Sequence, residues 1–183
     1  MVWLILGVAL WWGAHFFRRI APAARASLGD RGKGLVALLL VLSVVFMVLG
    51  YRSADFIYVY SPPPGARHLN NLLMLFAVFL FGVGGTKGLL YPRMRHPMLW
   101  GTVIWSVAHL MVNGDLASLI LFGGIGAWAI VTMIVINRSD IWVPPVNGRG
   151  IRGDVMNLFG TVALYAVIAG VHIWLGYNPF MGT

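Results

Sequence analysis

Long apolar runs separated by short polar loops dominate the chain. A helix needs roughly 17 to 25 apolar residues to cross about 30 Å of hydrocarbon. Six runs of about this length predict transmembrane helices, and none has an aspartate or an arginine at its centre. They cover Val2 to Phe17, Leu35 to Tyr51, Leu69 to Leu90, Met98 to Val112, Leu116 to Ile136 and Val155 to Tyr177. The pattern predicts an all-α integral membrane bundle forming a single domain over residues 1–183.

A turn signal separates the fourth run from the fifth. The fourth run is short for a membrane span, but Asn113, Gly114 and Asp115 follow it and lead directly into the next run. Asp115 is placed to cap the fifth helix by accepting hydrogen bonds from its first amides. We therefore expect a tight helical hairpin from Met98 to Ile136.

Basic residues are concentrated in alternate loops. The loops after the first, third and fifth runs contain Arg18, Arg19, Arg25, Arg31, Lys33, Lys87, Arg93, Arg95, Arg138, Arg149 and Arg152. The positive-inside rule then places these loops in the cytoplasm and both termini outside. The net charge of +8 therefore indicates membrane orientation, and we expect a lipid bilayer as the partner and no nucleic acid.

The chain contains no cysteine and no glutamate, which excludes several kinds of site. Disulfides, thiolate-bound metals and glutamate pairs are ruled out. Ionisable residues in or near apolar spans are then the main functional candidates, because burying them unpaired in hydrocarbon is costly. These candidates are the histidines His15, His68, His96, His109 and His172.

Two of these histidines have neighbours that suit a cofactor. His109 lies on a helix face with small and polar residues and with Trp105, and such a face should not contact lipid. His15 follows two tryptophans and precedes Arg18 and Arg19, an arrangement that would suit a porphyrin and its propionates. The alternative to cofactor binding is a purely structural role, in which each histidine donates a hydrogen bond to a carbonyl of a neighbouring helix.

Predicted depth in the membrane limits which histidines can act together. His15 and His96 fall near the inner side, and His109 and His172 near the outer side. His96 and His109 are 13 residues apart, which corresponds to about 20 Å along a helix, so they cannot bind one metal. Copper and zinc remain open, but a haem needs only one or two imidazoles.

Arg95, His96 and Pro97 form a separate signal. Proline is common in the first turn of a helix, so this tripeptide can mark a helix start with an arginine reaching the interface. It can also hold an anionic group at that helix N-terminus. Asn113, Asp115 and His68 are further candidate site residues, to which the sequence assigns no specific chemistry.

Residues 95–98, 101, 105–110, 113–115 and 121–124 resemble the signature of the NnrU family of membrane proteins. Segments 28–32, 67–68 and 172–176 extend the resemblance over nearly the whole chain. It implies a multi-pass protein of the bacterial inner membrane associated with denitrification. Nitrite or nitric oxide reductase components are the partners implied.

The family is also distantly similar to the zeta-carotene isomerase, which carries haem b on histidine ligands. Carried over, this similarity implies His15 and His109 as ligands and places the histidine of its Arg-His-Pro motif at His96. Because predicted depth separates His15 from His109, His172 is the geometric alternative as the partner of His109. The cofactor-binding candidates are Arg18, Arg19, Trp105, Arg95 and His96. The isomerase also has a cysteine near the position of Ser106, so the similarity does not carry over a redox-dependent ligand switch.

Three hypotheses follow. The first is a haem b protein in nitrogen-oxide metabolism or with isomerase-like redox chemistry. The second is a non-enzymatic transporter or an assembly partner of a reductase. The third is a membrane methyltransferase of the type that carries an Arg-His-Pro motif, which this chain resembles less because that motif continues to glutamates.

Overall fold

A computed structural model describes residues 1–181 and shows an all-helical architecture. The helices are α1 (Val2–Ile20), α2 (Pro22–Ser27), α3 (Arg31–Arg52), α4 (Ala66–Thr86), α5 (Pro97–Leu110), α6 (Leu116–Ser118), a π-helical turn (Leu119–Gly123), α7 (Gly124–Ser139) and α8 (Gly150–Trp174). From α6 to α7 the chain is helical without a break. Each of the predicted apolar runs forms a helix, so the all-α prediction is confirmed.

Four helical segments are long and apolar enough to cross a membrane: Arg31–Arg52, Ala66–Thr86, Leu116–Ser139 and Gly150–Trp174. Most of their apolar side chains lie on the surface of the protein. In the most apolar 18-residue stretch of each segment, only 17 to 33% of the residues are buried. Apolar surface of this extent is unfavourable in water. The helices therefore indicate a lipid bilayer environment.

The prediction of six spans is only partly supported. The apolar stretch of α1 ends before Arg18 and Arg19, which lie in its last turn. Helix α5 has 14 residues, which corresponds to about 21 Å and is shorter than the roughly 30 Å of a hydrocarbon core. Six spans with both termini outside therefore stay a prediction.

The chain forms two compact units. The first contains residues 1–60 and 114–124, and the second contains residues 61–113 and the chain from 125 onward. In the first unit α1 packs along α3, and in the second α4 packs against both α5 and α8. Each unit thus contains a pair of long apolar helices in direct contact.

Small residues allow α1 and α3 to approach closely. A Cβ atom on Gly7 would lie 2.7 Å from the backbone nitrogen of Met47 and 2.9 Å from the carbonyl oxygen of Ser43. At the other end of the pair, Gly50 lies against the backbone of Leu4. Such close backbone contact at small residues is typical of membrane helix pairs, where packing replaces the hydrophobic effect as the driving force.

The second unit combines a close contact with a buried amide. A Cβ atom on Gly101 in α5 would lie 3.0 Å from the carbonyl oxygen of Ala77 in α4. On the other side of α4, the Asn157 amide of α8 donates a 2.9 Å hydrogen bond to the Phe79 carbonyl. Asn157 is buried, and its hydrogen bond offsets the cost of removing the amide from water.

Asp115 caps the helix that follows it, as the sequence predicts. Its Oδ1 atom accepts from the Ser118 amide at 2.9 Å, and its Oδ2 atom accepts from the Ser118 hydroxyl at 2.6 Å. Tyr51 in α3 is 2.9 Å from that hydroxyl and donates to it, since the hydroxyl proton is already given to Asp115. Burial, and then the nearby Asp115 carboxylate, raise the pKa of Tyr60.

Gly7→Ala should destabilise the contact between α1 and α3. The added methyl group collides with the α3 backbone, and such overpacking costs about 1 to 3 kcal/mol. Gly13→Ala in the same helix is the matched control, because a Cβ atom there meets nothing within 4 Å. Unfolding in detergent, followed by circular dichroism, should show a lower midpoint for Gly7→Ala alone. Equal midpoints for the two variants would contradict the packing described here.

Asp115→Ala should cost more stability than Tyr51→Phe. The first change removes both acceptors of the Ser118 amide and hydroxyl, and the loss of an N-cap costs about 1 to 2 kcal/mol. The second removes one donor and leaves the Ser118 hydroxyl bonded to Asp115, at a cost of about 0.5 to 1.5 kcal/mol. The same unfolding assay measures both changes. The reverse order would show that Asp115 is not the centre of this network.

Candidate functional site

Three helix-borne histidines make the same local hydrogen bond. The Nδ1 atoms of His15, His109 and His172 lie 2.9, 2.9 and 2.8 Å from the carbonyl oxygen four residues earlier. The acceptor belongs to the same helix, whereas the structural alternative considered from the sequence was a carbonyl of a neighbouring helix. Because a carbonyl only accepts, Nδ1 carries the proton and Nε2 carries the lone pair.

Helices α1 and α5 share a pattern that the sequence reasoning missed. Residues 7–15 and 101–109 both read G-x-x-x-W-x-x-A-H. The rings of the tryptophan and the histidine are 4.4 Å apart in α1 and 5.1 Å apart in α5, inclined at 45° and 48°. In both helices the alanine is buried and the glycine contacts a neighbouring helix. The pattern is visible in the sequence, but it is much shorter than the repeats of 20 to 50 residues that mark repeat architectures.

His109 and His172 both belong to the second unit. Helix α4, which packs against both of their helices, carries the buried Asn70. The Nδ2 atom of Asn70 donates to Asn71, but its Oδ1 atom has no hydrogen-bond partner among the described residues. Sequence reasoning did not single out Asn70.

Arg95 and His96 connect the start of α5 with the end of α7. Arg95 donates from Nη2 to the carbonyl oxygens of Ile136 and Asp140, at 3.3 and 2.8 Å. His96 immediately precedes α5, and its Nε2 atom is 2.9 Å from the Oδ1 atom of Asn137. The prediction that this motif begins a helix is confirmed.

The remaining candidates lie at helix ends. Arg18 and Arg19 are exposed in the last turn of α1, where positive charge interacts favourably with the helix dipole. His68 is exposed in the first turn of α4. Asn113 donates a 2.8 Å hydrogen bond to the His109 carbonyl and so closes the end of α5. The helix dipole is thus a structural reason for the positions of Arg18 and Arg19, and the hydrogen bond to the His109 carbonyl is one for Asn113.

A comparison with protein-family models decides the family. The model described as NnrU protein matches residues 3–179. The chain belongs to the NnrU family. The resemblance carried by the Arg-His-Pro and Asn-Gly-Asp motifs is thereby confirmed over nearly the whole chain. No curated protein and no solved structure gives a significant match.

One property of the imidazoles of this NnrU-family chain bears on metal binding. Histidines that bind a metal usually donate their other ring N–H to a carbonyl or a carboxylate, as His15, His109 and His172 do here. Within residues 1–181, no three histidine or aspartate side chains form a group that could hold a metal ion. A haem iron needs only one or two imidazoles, so the hydrogen bonding of these histidines fits that of haem ligands.

Proposed function

We propose that this NnrU-family membrane protein binds haem b through His15 and His109, with His172 as the alternative partner of His109. The observation that carries the proposal is the repeated G-x-x-x-W-x-x-A-H pattern, in which both histidines have the same tautomer. Haem bound in this way would supply one-electron redox chemistry or the binding of a small molecule such as nitric oxide.

The residues around each imidazole would prepare it as a ligand. The hydrogen bond from Nδ1 to the helix carbonyl fixes the tautomer and raises the basicity of Nε2. The neighbouring tryptophan ring limits rotation of the imidazole. Arg18 and Arg19 at the end of α1 would pair with the haem propionates, since guanidinium groups bind carboxylates in a bidentate fashion.

Family membership also supports a proposal about the biological setting. Membership in the NnrU family supports a role in nitrite and nitric oxide metabolism, or isomerase-like redox chemistry, in the bacterial inner membrane. The apolar helices support placement in a lipid bilayer. We extend the proposal to six spans with both termini outside and to contact with nitrite or nitric oxide reductase components.

An optical spectrum of the purified protein tests the proposal. Protein extracted in detergent from haem-supplied cells should show a Soret band, and its pyridine haemochromogen should be that of haem b. His15→Ala and His109→Ala should each lose most of the bound haem, because each would remove one of the side chains proposed to hold the iron. His68→Ala is the control, since His68 is exposed and lies outside the repeated pattern.

The set of variants also separates the two ligand pairs. Loss of haem in His109→Ala and His172→Ala with retention in His15→Ala would assign the pair to the second unit. Protein that elutes as a single folded species, yet never shows a Soret band, would refute haem binding. Retention of haem in all of the histidine variants would refute the ligands.

A further inference from the structure

A cavity of about 490 Å³ lies in the second unit, beside the end of α4 and the start of α5. Its walls include Gly84, Tyr91, Arg95, His96, Met98 and Trp142. Volumes of roughly 300 to 1,000 Å³ are typical of sites for small ligands. The proposed haem ligands His15, His109 and His172 do not line it.

One wall of the cavity carries a fixed cation. The two hydrogen bonds from the Nη2 atom of Arg95 hold its guanidinium group against the end of α7. Within residues 1–181, Arg95 makes no further hydrogen bond, so Nε and Nη1 keep donors for another acceptor. A guanidinium group with free donors matches the geometry of a phosphate or a carboxylate.

The cavity lies at the basic end of the second unit, which we define by Lys87, Arg93, Arg95, Arg138, Arg149 and Arg152. Helix ends meet there, since the Arg149 amide donates to the Lys87 carbonyl at 2.6 Å. The acidic residues among these helix ends are Asp140 and Asp154, and the Asp154 carboxylate accepts from the Leu89 amide. The excess of positive charge attracts anions and favours a membrane surface with anionic lipids.

The rest of the lining is apolar and aromatic. Met94, Met98 and Leu99 offer no hydrogen-bonding side chain, and Tyr91 and Trp142 are of the type that lies at membrane interfaces. A free inorganic anion would gain nothing from these residues. An occupant that is anionic at one end and apolar at the other matches both parts of the lining.

We propose that this cavity binds an anionic phospholipid, with the headgroup phosphate on Arg95 and His96 and the acyl chains along the methionine side. The cavity lies where α4 ends and α5 begins, the level at which an apolar helix leaves the hydrocarbon. The site goes beyond haem binding and does not depend on it.

Lipid retention in native mass spectrometry tests the charge requirement. Delipidated protein in detergent is titrated with phosphatidylglycerol or with zwitterionic phosphatidylcholine, and we expect it to retain phosphatidylglycerol. Arg95→Gln should weaken this retention roughly tenfold, because a charge-assisted hydrogen bond to phosphate is lost. Arg93→Gln is the matched control, since Arg93 is exposed and does not line the cavity. It should retain the lipid as the unaltered protein does.

A second pair of variants tests the cavity without touching the bonds that Arg95 makes to α7. Gly84 lines the cavity and a Cβ atom there meets nothing within 4 Å, so we expect the side chain of Gly84→Leu to take up cavity space. Gly85 is equally open but does not line the cavity, which makes Gly85→Leu the control. Gly84→Leu should lose phosphatidylglycerol while its thermal midpoint stays that of the control.

Three results would overturn the proposal. Equal retention of the two lipids would remove the charge requirement. Attraction of the lipid to the basic end as a whole would be indicated if Arg93→Gln and Arg95→Gln lost phosphatidylglycerol equally and Gly84→Leu retained it. Displacement of the lipid by millimolar inorganic phosphate would indicate a site for a free anion.

Discussion

Polar groups on apolar helices must find their hydrogen-bond partners inside the protein, and this constraint underlies the rest of the structure. In hydrocarbon an unsatisfied N–H or C=O group costs several kcal/mol, which favours helices over other backbone forms. The same constraint acts on side chains. Ser43 donates to the Leu40 carbonyl at 2.7 Å, and Asn157 donates across to α4. Both of these side chains are thereby tied to a helix carbonyl.

In the histidines, the same constraint determines which ring nitrogen is protonated. Bonding Nδ1 to a carbonyl of the same helix satisfies one ring nitrogen locally and leaves Nε2 as the basic atom. The bond needs no partner helix, so the ring is held in the same way in α1 and in α5. A histidine that is simply well packed and one that is ready to bind iron therefore share the same local geometry.

The two proposed sites use opposite ends of α5. His96 precedes its first residue and His109 lies in its last turn, about 20 Å apart along the helix. Near His96, a fixed guanidinium group and interfacial aromatic residues suit an amphiphile. His109 and His172 lie on α5 and α8, which both pack against α4. Binding of lipid at one end and of haem at the other can be measured separately.

Local residue patterns were enough to predict the long helices, their apolar character, the cap formed by Asp115 and the family. The repeated histidine pattern is also present in the sequence. Which helices pair, and that Arg95 holds the end of α7, became clear from the three-dimensional packing. The same packing leaves Asn70 Oδ1 without a hydrogen-bond partner among the described residues. Helices that are apolar on all sides have no single stripe that marks their partner. Contacts between residues far apart in the chain then depend on how glycines and polar side chains fit in three dimensions.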